Sequence, residues 1–295
     1  MFEDNNNCEI QLYKDKQTLL EGYVVEQLFE EQYMKGKKFT SGWWVVSRYG
    51  KDYYFCLTDE PNEVDKRFEQ ILDSDNVWYV DTSVDYVFYN NGIRYSLEDF
   101  CISQGLKIYK PEAVAKSVNK KRQDLCIAYF KAMGMLRDIA INRYFANNFL
   151  TCYFGKPVNI DYINIKSDNR LCVSEVKFKY PTADNHYGIN TGEYRMLKSL
   201  SEKGIVIAHV ILNKNVPSET YSIFDFLVSP DKKYWKIAEI DMGETRSGSV
   251  APEKTSEDAS RKQGYVKIPA EEFKEERELE FDSKFFAELV GNSKK

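Results

Sequence analysis

A carboxylate and an amine lie two positions apart in an apolar stretch of this chain. The segment is LCVSEVKFKY (171–180), in which Glu175 and Lys177 interrupt a run of hydrophobic residues. Side chains alternate between the two faces of a strand, so a strand at this place would point both groups to the same side. Buried charge is unfavourable unless it is paired or binds a metal ion. This pair is therefore the first candidate for chemistry.

A second acid, Asp161, belongs to the preceding apolar stretch, PVNIDYINI (157–165), and a turn between the two stretches would bring it alongside Glu175. Mg²⁺ prefers oxygen ligands, usually one or two carboxylates together with waters. Asp161, Glu175 and the backbone carbonyl of Val176 are therefore predicted metal ligands, with Mn²⁺ as a substitute for Mg²⁺. Such a cation polarises a phosphoryl oxygen and lowers the pKa of a bound water. Lys177 would orient that water or neutralise developing charge.

The spacing acid-x-Lys is not evidence by itself, because a chain with 29% charged residues contains it by chance. What distinguishes Glu175 is its apolar strand, with an acid on the strand before it and a helix and a buried strand after it. An exposed ion pair between Glu175 and Lys177 on an edge strand is the alternative without function. The same spacing recurs at three other places: Asp231–Lys233, Glu272–Lys274 and Asp282–Lys284.

The surrounding patterns predict the order helix, strand, strand, helix, strand. Helical spacing covers residues 111–149, as one broken helix or two consecutive ones, and the two strands around Asp161 and Glu175 follow. An amphipathic helix (190–204) and the apolar strand IVIAHVILN (205–213) complete the order. His209 in that strand is predicted to be a core histidine with satisfied ring nitrogens.

The flanking regions carry weaker patterns. YSIFDFLV (221–228) is predicted to extend the sheet, residues 241–264 to form a flexible loop, and YVKIP (265–269) to return as an edge strand. The acidic segment 270–295 is predicted to be helical. The first 110 or so residues indicate an α+β unit with two hairpins, one turning at Asn91-Gly92. Its tryptophans suit core packing better than a surface for stacking bases.

Composition limits the classes of function. Six cysteines lack any C-x-x-C pair, so neither zinc nor disulfides are expected. No apolar run approaches the roughly 18 residues of a membrane span, and the first residues lack the features of a signal peptide. A cytoplasmic protein is the expectation. The net charge is −9 for residues 1–115, +8 for residues 116–215 and −4 for residues 216–295. A basic middle part in an acidic chain is typical of a polyanion site.

Residues 130–215 resemble the PD-(D/E)xK nuclease superfamily, which includes type II restriction endonucleases and archaeal Holliday junction resolvases. The resemblance rests on helix, VNID, CVSEVKFK, helix and IVIAHVIL in that order. It implies an α/β class with a restriction-endonuclease-like mixed sheet flanked by helices, metal ligation by Asp161 and Glu175, and catalysis by Lys177. Gly134-x-x-x-Asp138 is similar to the Gly-x-x-x-Glu of the resolvases, which makes Asp138 a further candidate acid with a shorter side chain.

The helix after the second strand often supplies another polar residue in these nucleases. Glu193 has the position for that role, but Asn190 three residues earlier makes NTGE a capping box, and capping is the favoured interpretation. Lys179 and Lys198 are candidate contacts to substrate phosphates. A solvated helix position is an equal alternative for Asp138.

The resemblance implies a Mg²⁺-dependent phosphodiester hydrolase, a DNA endonuclease, with nucleic acid as partner and no membrane. Residues 1–112 would then be an α+β accessory domain for specificity, regulation or dimerisation, the last giving a homodimer, and residues 113–295 the nuclease-like domain. Two other classes stay open. One is a non-catalytic nucleic-acid-binding or interaction protein built on a nuclease-like core. The other is a protein whose acidic outer parts imitate nucleic acid.

Overall fold

Helices and strands alternate along the chain in a mixed α/β order. The structure, a computed structural model, describes residues 4–58, 60–83, 86–107, 118–214, 216–218, 220–252 and 262–292. The helices in these ranges are α1 (Asn5–Leu12), α2 (Gln17–Phe29), α3 (Glu63–Glu69), α4 (Leu97–Ser103), α5 (Lys120–Ala132), α6 (Leu136–Tyr144), α7 (Thr151–Tyr153), α8 (Thr191–Glu202), α9 (Ile223–Val228) and α10 (Ser283–Asn292).

The strands are mostly short. They are β1 (Phe39–Thr40), β2 (Trp43–Arg48), β3 (Lys51–Cys56), β4 (Val77–Asp81), β5 (Val87–Asn90), β6 (Ile93–Ser96), β7 (Val158–Ile160), β8 (Tyr162–Ile165), β9 (Leu171–Lys179), β10 (His186–Asn190), β11 (Val206–Asn213), β12 (Tyr234–Glu239), β13 (Gly248–Pro252), β14 (Lys262–Pro269) and β15 (Glu275–Glu278).

The chain forms two compact units, each assembled from three segments. The first unit comprises Met1–Asp15, Lys37–Val114 and Phe130–Leu171, and the second comprises Lys16–Gly36, Ala115–Tyr129 and Cys172–Lys295. The predicted boundary at residue 112 lies within two residues of one segment limit. The chain also passes from one unit to the other at further positions, so a single boundary at residue 112 does not divide it into the two units. The assignment of an accessory role to residues 1–112 stays a prediction.

The first unit contains a six-stranded sheet in the order β6-β5-β4-β3-β2-β7. Only β3 and β4 are parallel in it, and β1 pairs separately with β8 in antiparallel register. The predicted hairpins are confirmed, since β2 and β3 join through Tyr49-Gly50 and β5 and β6 through Asn91-Gly92. Both residues of the second turn have positive φ, 48° and 76°, as a type I′ turn requires.

Aromatic side chains fill the core of the first unit. Trp43 is fully buried and donates a hydrogen bond from Nε1 to Asp65 Oδ1 at 2.8 Å. Trp44 and Trp78 are also buried and belong to one hydrophobic cluster with Phe55. The prediction of core packing for these tryptophans is confirmed. None of the three presents a surface on which bases could stack.

In the second unit β9, β11, β12 and β15 lie side by side in that order. β9 and β11 are parallel and are connected through α8, whereas β12 runs antiparallel to both β11 and β15. A parallel neighbour requires a crossover, and the amphipathic α8 provides it by burying Met196, Leu197 and Leu200. β10, β14 and β13 form an antiparallel sheet of their own.

The predicted order of elements around the acidic and basic pair is confirmed, with differences of detail. The helical region is two consecutive helices, α5 and α6, interrupted at Gly134. Pro111 and Glu112, predicted to open it, lie outside the described residues. The strand predicted for residues 157–165 is two strands, because the chain leaves the six-stranded sheet at β7 and pairs with β1 at β8. Asp161 occupies the break.

Four predictions in the last third were wrong, the last of them in part. Residues 221–228 contain helix α9 rather than a strand, because Ser222 and Asp225 form a capping box that starts a helix. The predicted loop 241–264 contains β13 and the start of β14. β14 is the central strand of its sheet rather than an edge strand, and β15 replaces part of the predicted C-terminal helix. Cross-strand pairing supplies the stability that the local composition did not indicate.

Within the described ranges, the helices are too short or too polar for any of them to cross a membrane.

Candidate active site

Glu175 and Lys177 meet on one face of β9. The Glu175 side chain is 2% exposed and that of Lys177 28% exposed, and the Lys177 ammonium contacts Glu175 Oε1 as an ion pair. The first six residues of β9 are buried, so the strand carries the carboxylate into the core. The predicted shared face is confirmed. An exposed ion pair, the alternative considered from the sequence, does not describe a carboxylate buried to this degree.

Helix α8 brings a second acid to Lys177. Glu193 in its first turn is 8% exposed, and its Oε1 lies 3.5 Å from Lys177 Nζ. The favoured interpretation of Glu193 as a capping residue was wrong, since Asn190 is the N-cap residue but its side chain makes no capping hydrogen bond. Glu193 instead turns toward the strand, where one ammonium serves two carboxylates.

Each of these acids keeps one oxygen without a hydrogen bond from the described residues. The two atoms are Glu175 Oε2 and Glu193 Oε1, both buried, and Glu193 Oε1 has the ion-pair contact with Lys177 in place of a hydrogen bond. An unpaired buried acceptor costs free energy, and a hard cation with its waters is a ligand that would satisfy carboxylate oxygens. The donor set at this place therefore fits the Mg²⁺ that the sequence implies.

Lys179 continues the same face of β9 toward its end. Its ammonium donates a hydrogen bond to the Gly188 carbonyl oxygen. Burial lowers the pKa of Lys179 to about 8, although the Glu193 carboxylate opposes that shift. Burial also raises the pKa of Glu193, but Lys177 and Lys179 outweigh burial and hold it below its ordinary value. Glu193 is therefore ionised at neutral pH.

His209 was not among the predicted site residues, yet it lies on this face. The parallel register places it beside Glu175 on the neighbouring strand β11, and it is 0% exposed. The prediction of a core histidine is confirmed, but the prediction that its ring nitrogens are satisfied was wrong, because neither has a hydrogen-bond partner among the described residues. The available signal was a polar residue inside an apolar strand, the same signal that identified Glu175.

Asp161 and Val176 were the other predicted ligands. Asp161 is 4% exposed, belongs to the first unit and accepts a hydrogen bond from Asn159 Nδ2 at 3.1 Å. Val176 is 2% exposed and pairs in register with Val210 on β11. Participation of the Asp161 carboxylate and the Val176 carbonyl in a cation site with Glu175 stays a prediction from the sequence.

Asp138 and Lys198 are exposed. Asp138 lies in the first turn of α6 in the first unit, after Gly134 has ended the preceding helix with φ +72°. Lys198 lies on the solvent face of α8, the same helix that carries Glu193 on its buried face. Their predicted roles, as a further acid and as a phosphate contact, stay predictions.

Across the ranges that the structure describes, no three or more His, Cys, Asp or Glu side chains are grouped so as to hold a metal ion by themselves. Two carboxylates and waters suffice for Mg²⁺, so the arrangement of Glu175 and Glu193 matches a weakly held, hydrated cation better than a closed structural site.

Comparison with models of protein families, with curated proteins and with solved structures finds no match to this chain. The resemblance to PD-(D/E)xK nucleases therefore rests on the residues quoted above.

Proposed function

We propose that this protein is a divalent-metal-dependent nuclease that hydrolyses phosphodiester bonds, with DNA as its substrate, and that its α/β core is of the restriction-endonuclease-like kind. The observation that carries the proposal is the meeting of Lys177 with two buried acids, Glu175 on the strand and Glu193 on the following helix. Glu193 takes the helical position at which these nucleases often carry a further polar residue. The basic middle part of the chain supports a polyanionic substrate.

Each side chain has a distinct role in this proposal. Glu175 and Glu193 hold the cation, with Asp161 and the Val176 carbonyl as the further ligands predicted from the sequence. A bound Mg²⁺ would polarise the scissile phosphate and make hydroxide available near neutral pH. Lys177 places a positive charge beside the reacting phosphate and stabilises the negative charge that develops on it. Burial of the carboxylates strengthens these interactions, because the surroundings have a lower dielectric constant than water.

The test is cleavage by the purified full chain. Plasmid, linear duplex, branched and single-stranded substrates, as DNA and as RNA, are incubated with Mg²⁺ or Mn²⁺, and EDTA is added to parallel reactions. We expect metal-dependent cleavage that EDTA abolishes. Lys177→Ala should retain nucleic-acid binding and lose cleavage. Lys284→Ala is the matched control, because Asp282-Ser283-Lys284 repeats the acid-x-Lys spacing at the surface, where the Lys284 side chain is 86% exposed.

Two results would contradict the proposal. Cleavage by Lys177→Ala at the wild-type rate would remove Lys177 from the chemistry. Binding of nucleic acid by the wild-type chain without cleavage of any substrate would favour the non-catalytic nucleic-acid-binding protein instead.

A further inference from the structure

His209 is a fully buried polar side chain in an apolar strand of the second unit. It lies in the middle of β11 between Ala208 and Val210, is 0% exposed, and has hydrogen-bond partners for neither Nδ1 nor Nε2 among the described residues. Leaving buried polar groups unpaired is unfavourable for folding. A leucine or phenylalanine at this position would avoid that cost, so packing alone does not account for the histidine.

The direction of the side chain follows from the register of the sheet. In the parallel pair, His209 is opposite Glu175, and Ile211 is opposite Lys177, so the imidazole shares a face with the acid and the amine. The Phe273 ring lies 5.9 Å from the imidazole, centroid to centroid. His209 is thus enclosed on the face of the sheet that carries the candidate active site.

His209 and Glu175, which pair in register on neighbouring strands, both keep buried atoms without hydrogen bonds from the described residues. A neutral imidazole offers one donor and one acceptor, and in His209 both ring nitrogens lack a partner among the described residues. Glu175 Oε2, on the residue opposite His209, is a buried acceptor that also has no hydrogen-bond partner among the described residues. A ligand that supplies several O–H donors would satisfy this set, and the waters retained by a hydrated Mg²⁺ are such donors.

We infer that His209 is a positioning residue of the cation site, which binds a water of the hydrated divalent cation and thereby orients that cation against Glu175 and Glu193. The inference rests on the proposed function, because it assumes a cation at these acids. It adds a residue outside the ligand set, and it explains why a histidine occupies an apolar strand. Hydrogen-bonding partners of this kind typically change metal affinity by about 10–100-fold.

The experiment measures binding of Mg²⁺ and Mn²⁺ by calorimetry with the full chain in the absence of nucleic acid. His209→Phe keeps a planar ring and removes both nitrogens, and His209→Gln keeps a donor and an acceptor. We expect His209→Phe to lose about 10–100-fold in Mg²⁺ affinity and His209→Gln to recover most of the loss. His186→Phe is the matched control. His186, the other histidine of the chain, lies at the start of β10 beside Asp184, and its replacement should leave Mg²⁺ affinity unchanged.

A second readout separates a positioning role from misfolding. Without metal, His209→Phe should unfold in one cooperative transition, as the wild type does, so that a loss of Mg²⁺ affinity cannot be ascribed to loss of the fold. Mg²⁺ affinity of His209→Phe equal to that of the wild type would overturn the inference and leave the proposed function intact. A preference of the wild type for Zn²⁺ over Mg²⁺ that His209→Phe abolishes would also overturn it, since that preference indicates direct nitrogen ligation. Absence of cation binding by the wild type would overturn the proposed function and this inference together.

Discussion

Replacement of Lys177 by methionine tests the electrostatic balance of the candidate site. Methionine keeps much of the apolar stem and removes the charge. The Glu175 and Glu193 side chains are 2% and 10% exposed, so both acids lose the ammonium while they remain out of water. Removing one partner of a buried ion pair costs about 3–5 kcal/mol. Because the Lys177 side chain is 28% exposed, we expect a loss near the lower end, about 3 kcal/mol of the free energy of unfolding.

A divalent cation should reverse much of this loss. In Lys177→Met the cation meets two uncompensated carboxylates and no competing ammonium, so it should bind more tightly than in the wild type. Ligand binding to the folded state adds about 2.7 kcal/mol to the free energy of unfolding at a concentration 100 times the dissociation constant. The assay is urea unfolding with and without Mg²⁺, followed by circular dichroism.

The deciding quantity is the increase in the free energy of unfolding that Mg²⁺ causes, compared between the variant and the wild type. We expect the larger stabilisation in Lys177→Met. An equal or smaller effect would refute the view that the ammonium and the cation compete for the same acids. Lys284→Met is the control, because its partner Glu288 lies 4.0 Å away at the surface, and exposed pairs contribute about 0–1 kcal/mol.

Three further predictions concern the framework of the second unit. Ser222→Ala should cost about 1 kcal/mol, because the Ser222 hydroxyl caps α9; urea unfolding measures it. Burial lowers the pKa of Lys214 to about 8, against the opposing effect of a nearby acid. Between pH 8 and the ordinary lysine pKa, Lys214 therefore carries more bound protons in the unfolded chain than in the folded chain, so the free energy of unfolding rises with pH. In Lys214→Met this part of the rise should be absent when unfolding is followed across that pH range. Gly264→Ala should cost about 1–3 kcal/mol, because a Cβ there would lie 2.6 Å from Thr191 Oγ1, and Thr191→Ala in the same chain should recover most of the loss.

Each of these predictions has a result that would contradict it. For the cap, it is unchanged stability of Ser222→Ala. For Lys214, it is a stability profile of the methionine variant parallel to that of the wild type between pH 8 and about 10.4. For Gly264, it is additive effects of the two substitutions. Gly192→Ala is the control for the last experiment, because a Cβ at Gly192 meets no atom within 4 Å and alanine favours the helix.

The sequence predicted those parts of the candidate site that depend on one strand alone. Glu175 and Lys177 share a face because side chains alternate along any strand, and the apolar residues around them already required that strand to be buried. The hairpin at Asn91-Gly92 was predictable for the same reason, since its backbone conformation is a property of the two turn residues. In both cases the geometry is local.

Local signals were also misread where two of them competed. Residues 221–228 are aromatic and apolar, which favours a strand, but Ser222 and Asp225 form a capping box that begins α9. The capping box at the start of α9 outweighs the preference of these residues for a strand. In NTGE the error was the reverse, because a capping pattern was present and Glu193 did not use it.

Apolar spacing, turn residues and alternation along the strand determined the mixed α/β class and the pairing of Glu175 with Lys177. Only the tertiary structure decided that Glu193 turns toward Lys177 and that His209 lies beside Glu175, because both depend on how α8 crosses between two parallel strands and on the register in which those strands pair. A shift of that register by one residue would move His209 to the other face of the sheet. Neighbouring sequence does not encode such a choice, since packing between distant segments selects it.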